Sequence, residues 1–163
     1  MFFRKIFKEL EKRELKYLAI GGVAVNIYGY NRITNDLDIM ISFDLENVQK
    51  LAKMAKELGF KPKAPVEIEE LADPRKREYW RKEKNMKVFS IYNPENDFEI
   101  IDIMISDDID FNTAYKNRQV QSDGNFNVSV VSINDLIKLK EVAGRERDLI
   151  DIKILKELRD RND

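Results

Sequence analysis

Two stretches of the chain place aspartates inside otherwise apolar patterns. Asp36-Leu37-Asp38-Ile39-Met40-Ile41 has two acids two residues apart, and Ile100-Ile101-Asp102-Ile103-Met104-Ile105 sets one acid between apolar pairs. In a β-strand, residues two apart share a face, so Asp36 and Asp38 stand on one side, about 7 Å apart along the chain. A buried, unpaired carboxylate costs several kcal/mol, so such acids need a cation or dense hydrogen bonding. Three acids from two neighbouring strands can converge on one point. The chain contains no His and no Cys. That excludes disulfides, thiolate and imidazole metal sites, Cys nucleophiles and His-based triads. Carboxylates alone suit a hard cation, Mg²⁺ or Mn²⁺, which keeps part of its shell for water and substrate phosphates. Asp36, Asp38 and Asp102 are therefore the expected metal ligands and catalytic groups.

A second feature precedes the first acid pair. Gly21-Gly22 follows the apolar run Tyr17-Leu18-Ala19-Ile20 and opens a short helix. Glycines there let the backbone approach a phosphate, and a helix N-terminus offers unpaired N–H groups; an ordinary tight strand–helix turn needs the same residues. Arg32 can grip phosphate or neutralise the aspartates, and Thr34 can bond a ligand or its own turn. Lys140 is a further cation for a nucleotide, although its place on a Lys-rich helix beside Lys138 favours a solvated face.

The elements that must position these residues follow from periodicity and turn chemistry. Helices are expected over residues 3–15, 23–28, 46–58, 112–118, 132–142 and 148–158, with one or two short ones in the charged segment 67–84. Strands are expected over 17–20, 36–42, 60–63, 88–92, 98–106 and 127–131, with a polar turn at 93–97. The order predicts an α+β fold, a mixed sheet with flanking helices and a helical C-terminal part. With 163 residues, one domain is expected, its core at about 15–131 and its C-terminal helices at about 132–160. Basic and acidic residues number 29 and 30, which argues against nonspecific nucleic-acid binding. No signal peptide or membrane-length apolar segment is visible, so the expected location is the cytoplasm.

Residues 18–24 and 28–39 together resemble the nucleotidyltransferase superfamily, which shares its fold with polymerase beta. The shared pattern is an apolar strand, Gly-Gly or Gly-Ser, a helix, then a strand with Asp-x-Asp; Asp102 stands where the third acid is expected. Ser132-Ile133-Asn134-Asp135-Leu136-Ile137-Lys138-Leu139-Lys140, then Gly144-Arg145 and Asp148, is similar to small nucleotidyltransferases of the abortive-infection (AbiEii-like) type. The resemblance implies an NTP substrate, pyrophosphate release and two metal ions. Asp36 and Asp38 would hold Mg²⁺ under the triphosphate. Asp102 would serve a second metal and activate an acceptor hydroxyl, as ligand, base or both. Gly21 and Gly22 would receive phosphate oxygens. Many relatives have Ser where this chain has Gly22, so phosphate grip would rest on backbone and cations. A toxin–antitoxin role would follow from the branch, and the acceptor (small molecule, RNA or protein) is left open, as is oligomeric state.

Three other readings fit parts of the sequence. One is a non-catalytic protein that keeps the fold to bind a nucleotide or partner. Another is a carboxylate-metal nuclease or phosphatase, which has no need of Gly21-Gly22. The third makes residues 67–87 a binding surface. There Arg75, Lys76, Arg77, Arg81, Lys82, Lys84 and Lys87 surround Tyr79 and Trp80, and they would either grip RNA or form an amphipathic helix docked by its aromatics.

Overall fold

The computed structural model describes residues 2–162. In chain order the elements are α1 (Phe2–Lys12), β1 (Tyr17–Ile20), α2 (Gly21–Ile27), β2 (Leu37–Ile41), α3 (Leu45–Leu58) and β3 (Lys61–Pro62). A 3₁₀ turn (Ile68–Ala72), α4 (Pro74–Glu83), β4 (Val88–Asn93), β5 (Asn96–Met104) and α5 (Phe111–Lys116) follow. The chain ends with β6 (Gln119–Asp123), β7 (Phe126–Val130), α6 (Ile133–Ala143) and α7 (Glu146–Arg161). The strands form one mixed sheet in the order β3-β4-β5-β2-β1-β7-β6. β2 pairs parallel with β5 and antiparallel with β1, and β1 pairs parallel with β7.

Register divides the sheet into rows of opposite character. Val130, Ala19, Ile39, Ile103 and Phe89 are successive cross-strand partners over five strands, and all five are buried. Burying each large aliphatic or aromatic side chain contributes about 1.5–3 kcal/mol, so this row is a spine of the core. One residue earlier along β2, the row reads Ile20, Asp38, Asp102 and Ser90. Cross-strand partners share a face. Asp38 and Asp102 therefore stand side by side on the face opposite the spine.

Helices fix the ends of these strands. α1 packs Ile6, Phe7 and Leu10 inward, with Phe7 stacked 6.0 Å from Tyr17. α3 is capped by Asp44, whose side chain accepts from the Asn47 backbone N–H, and it stops at Gly59. The buried Asn47 amide ties Lys16 to Ser42, locking the start of β1 to the end of β2. α4 begins at Pro74 behind the Asp73 cap, where proline loses nothing because first-turn N–H groups are unpaired.

Several boundaries depart from the sequence expectation. α2 starts at Gly21, two residues before the expected Val23, because Gly21 adopts a φ of +64° and turns the chain directly off β1. β5 starts at Asn96, so the hairpin turn is shorter than 93–97, and a bulge follows Tyr92. β6 was not anticipated. Its five residues are all exposed, and an edge strand with no buried side carries no apolar alternation to read. The aromatics of α4 behave differently from one another: Trp80 is buried with its ring 5.7 Å from Phe89, whereas Tyr79 is 52% exposed.

Candidate active site

The site is assembled at the start of β2. Asp36 lies just before this strand and Asp38 within it, both half-buried. β5 brings Asp102 opposite Asp38, and β4 brings Ser90 opposite Asp102, where the Ser90 hydroxyl donates to the Asp102 carboxylate. The charge of Asp36 acts on Asp102. Among the described residues, no basic side chain forms an ion pair with any of the three; Arg32, Lys140 and Arg145 are committed to Asp148 and Asp151.

Electrostatics follow from that lack of partners. Burial, then the charges of Asp102 and Asp36, push Asp38 up to about 7, while Lys140 and Arg145 pull the other way. Asp102 is also raised, first by burial and then by Asp36, against the Ser90 hydrogen bond and the charge of Lys63. Neighbouring carboxylates that cannot all ionise are a site prepared for positive charge.

The glycine turn is built against these acids. A Cβ on Gly21 would collide with the Asp38 carboxylate, and one on Gly22 would stand 2.5 Å from Thr34 Oγ1 and 3.2 Å from an Arg32 guanidinium nitrogen. Both glycines are thus required by close approach, and Gly21 also by its positive φ. Thr34 directs its hydroxyl to the Asp36 carbonyl at 3.4 Å, which bends the loop into β2.

Arg32 and Lys140 lie in a second charged cluster behind the first. Arg32 donates to Asp151 at 3.0 Å, and Lys140 donates to Asp148 at 3.3 Å and contacts Asp151 at 2.9 Å. Arg145 closes the cluster with a 2.7 Å bond to Asp148. The solvated-face expectation for Lys140 is corrected here: the residue is 4% exposed, because α7 packs its Asp148 and Asp151 directly onto it. Burial works against the Asp148 charge, but Arg145 and Lys140 outweigh it and hold the carboxyl below its usual range. Arg32 Nε is buried without a hydrogen-bond partner, beside Gly22.

Sequence reasoning did not anticipate Ser90, Lys63 or Asp151. Ser90 and Lys63 carry no local signal; only strand register brings them to Asp102. Asp151 had one: Asp148 and Asp151 are three apart on the helical face that buries Ile152 and Leu155, where unpaired acids do not belong.

The chemistry of the donor set fits a hard divalent cation: half-buried carboxylate oxygens without an ion-pair partner, and no nitrogen or sulfur ligand. The side chains are gathered but not closed around an ion. Among the described residues, no group of three acidic side chains stands in metal-holding geometry.

No family model matches this sequence, and no curated protein matches it. Its fold is that of nucleotidyltransferases. The lincosamide antibiotic adenylyltransferase LnuA, bound to lincomycin, superimposes with a TM-score of 0.58 at 17% identity, over 96% of each chain. ANT(2'')-Ia, in complex with adenylyl-2''-tobramycin, gives 0.59 at 14% identity, over 94% of this chain and 84% of that one. A nucleotidyltransferase-like protein from Paracoccidioides brasiliensis gives 0.59 at 15% identity, over 94% and 72%. Among the described residues, no helix is long and apolar enough to cross a membrane.

Proposed function

We propose that the chain is a nucleotidyltransferase that moves a nucleoside monophosphate from an NTP to a hydroxyl acceptor. The observation that carries this reading is the row of unpaired carboxylates packed against the Gly21-Gly22 turn. Asp36, Asp38 and Asp102 would hold Mg²⁺ or Mn²⁺, in the two-metal arrangement the resemblance implies. The bound cation would neutralise the triphosphate and ease ionisation of the acceptor hydroxyl.

The chain's own groups then have distinct tasks. Gly21 and Gly22 leave the backbone bare, so that phosphate oxygens reach the unpaired first-turn N–H groups of α2. The unpartnered Arg32 Nε supports a role for Arg32 at the same phosphates. Lys140 acts indirectly, by fixing Asp151, which in turn holds Arg32. Asp102, raised by burial and by Asp36, takes the acceptor proton. The acceptor oxygen attacks the α-phosphorus, the bond to the β-phosphate bridge breaks, and pyrophosphate leaves. Positioning and charge neutralisation supply most of the rate.

The acceptor class best supported is a small molecule, since the neighbours LnuA and ANT(2'')-Ia are named with antibiotics. RNA ends and protein hydroxyls are the competing acceptors. Membership of the abortive-infection branch, and with it a toxin–antitoxin role, is supported by the sequence pattern at residues 132–148. One observation favours the non-catalytic alternative: Arg32 and Lys140 already spend charge on Asp151.

Incubation with each α-labelled NTP, Mg²⁺ and candidate acceptors tests the proposal, beside Asp36→Asn/Asp38→Asn. The expected result is pyrophosphate release and label transfer by the wild type alone. Equal transfer by the double variant, or release of inorganic phosphate, would refute it.

A further inference from the structure

A second cluster of cations lies away from the aspartates, where β2 and β5 end. Arg77 and Arg81 are four residues apart on α4, so they share one face of that helix. Among the described residues neither has a carboxylate partner, although the neighbouring Lys76 and Lys82 do. Each guanidinium spends one nitrogen on a backbone carbonyl, Arg77 on Leu71 at 2.5 Å and Arg81 on Ile105 at 2.9 Å. Arg77 also sits over the Phe43 ring, 4.3 Å from its centroid. Burial, and then the charge of Arg81, pull the Arg77 pKa down against the charge of Asp73.

Both arginines line a half-open cavity of about 570 Å³, within the volume range of small-molecule sites. Met40, Met104, Ile109 and Phe111 give it an apolar wall. Three acids also border it, but two are already committed. Asp44 caps α3 and accepts from Ser42, and Asp110 caps α5 through Thr113. Asp107, also in the lining, is exposed, and its charge reaches Glu78 and Lys82 as well.

We infer that this cavity binds a small organic anion, with its carboxylate or phosphate head on Arg77 and Arg81 and its apolar body against the methionine–aromatic wall. A guanidinium pair recognises a planar or tetrahedral oxyanion through forked N–H bonds. The same geometry argues against single-stranded RNA as the occupant. Stacking on RNA needs exposed aromatics beside the cations; Trp80 is buried, and the exposed Tyr79 does not line this cavity. The inference is independent of the nucleotidyltransferase reading, because no residue of this cavity belongs to the aspartate cluster.

Trp80, the only tryptophan, lies on α4 between the two arginines and reports on the site. The experiment titrates the full chain with phenyl phosphate and, separately, with benzoate at fixed ionic strength, following Trp80 fluorescence and melting temperature. Saturable binding of at least one anion, with a raised melting temperature, is expected; which one binds identifies the head group. Arg77→Gln/Arg81→Gln should abolish binding, and Asp38→Asn should leave it unchanged. In case the double variant fails to fold, Arg81→Lys keeps the charge and loses the fork, and should weaken binding about tenfold. The inference is overturned if neither anion saturates at millimolar concentration or if potassium chloride gives the same response. Unchanged affinity in Arg81→Lys, or quenching by single-stranded RNA when both small anions fail, overturns it equally.

Discussion

The molecule contains two buried or half-buried groups of aspartates that differ in one respect. Asp148 and Asp151 on α7 meet Lys140, Arg32 and Arg145 at 2.7–3.3 Å. Asp36, Asp38 and Asp102 meet one another and a serine. In the first group, Arg145 and Lys140 hold Asp148 below the ordinary carboxylate range. In the second, Asp38 and Asp102 are pushed upward by burial and by neighbouring carboxylate charge. The contrast separates acids that complete the fold from acids that lack a partner within it. The two groups also communicate, since Lys140 and Arg145 act on Asp38 through space.

The largest effect is expected where a satisfied charge is exposed as unpaired. Lys140→Met leaves Asp148 and Asp151 buried with less counter-charge, and should destabilise the chain by about 3–5 kcal/mol in denaturant unfolding. A loss below about 1 kcal/mol would mean that the cluster relaxes into solvent and is not structural.

Asp38→Asn should have the opposite sign. In chelator-treated protein, the native state binds the Asp38 proton up to about pH 7, whereas the unfolded state releases it near pH 4. The native state therefore holds more protons between these values, so the Asp38 contribution to stability falls as pH rises from about 4 to 7. Relative to the wild type, Asp38→Asn should gain stability across that window, up to about 4 kcal/mol at pH 8, while abolishing transfer. Parallel stability–pH curves for the two proteins would remove the contrast.

An exposed pair sets the baseline. Arg4 and Asp123 lie 3.2 Å apart with both side chains about half exposed, and Arg4→Ala should cost less than about 0.5 kcal/mol by the same assay. A larger loss would show that exposure does not rank these pairs.

The same contrast explains what the sequence could convey. Asp38 and Asp102 were legible because each interrupts an apolar strand, and Asp36 because it stands two residues before Asp38 at the strand's start. The sheet's buried strands were legible by composition, and α3 by its apolar stripe and the Asp44 and Gly59 signals at its ends. β6 was not, because Gln119 to Asp123 face solvent on every side. The pairing of Arg32 with Asp151 spans 119 residues, and no local pattern announces a contact set by how α7 docks. Lys140 was misjudged for the same reason: its neighbour Lys138 is exposed while Lys140 points at α7.

The most direct test of the account is a carboxyl NMR titration of Asp38 with and without Mg²⁺. Without the ion, the midpoint should lie near the raised value of about 7; with it, the midpoint should fall to or below the ordinary carboxylate range. An ordinary midpoint in the metal-free protein, or one that Mg²⁺ leaves unmoved, would contradict the claim that these acids are arranged for a cation.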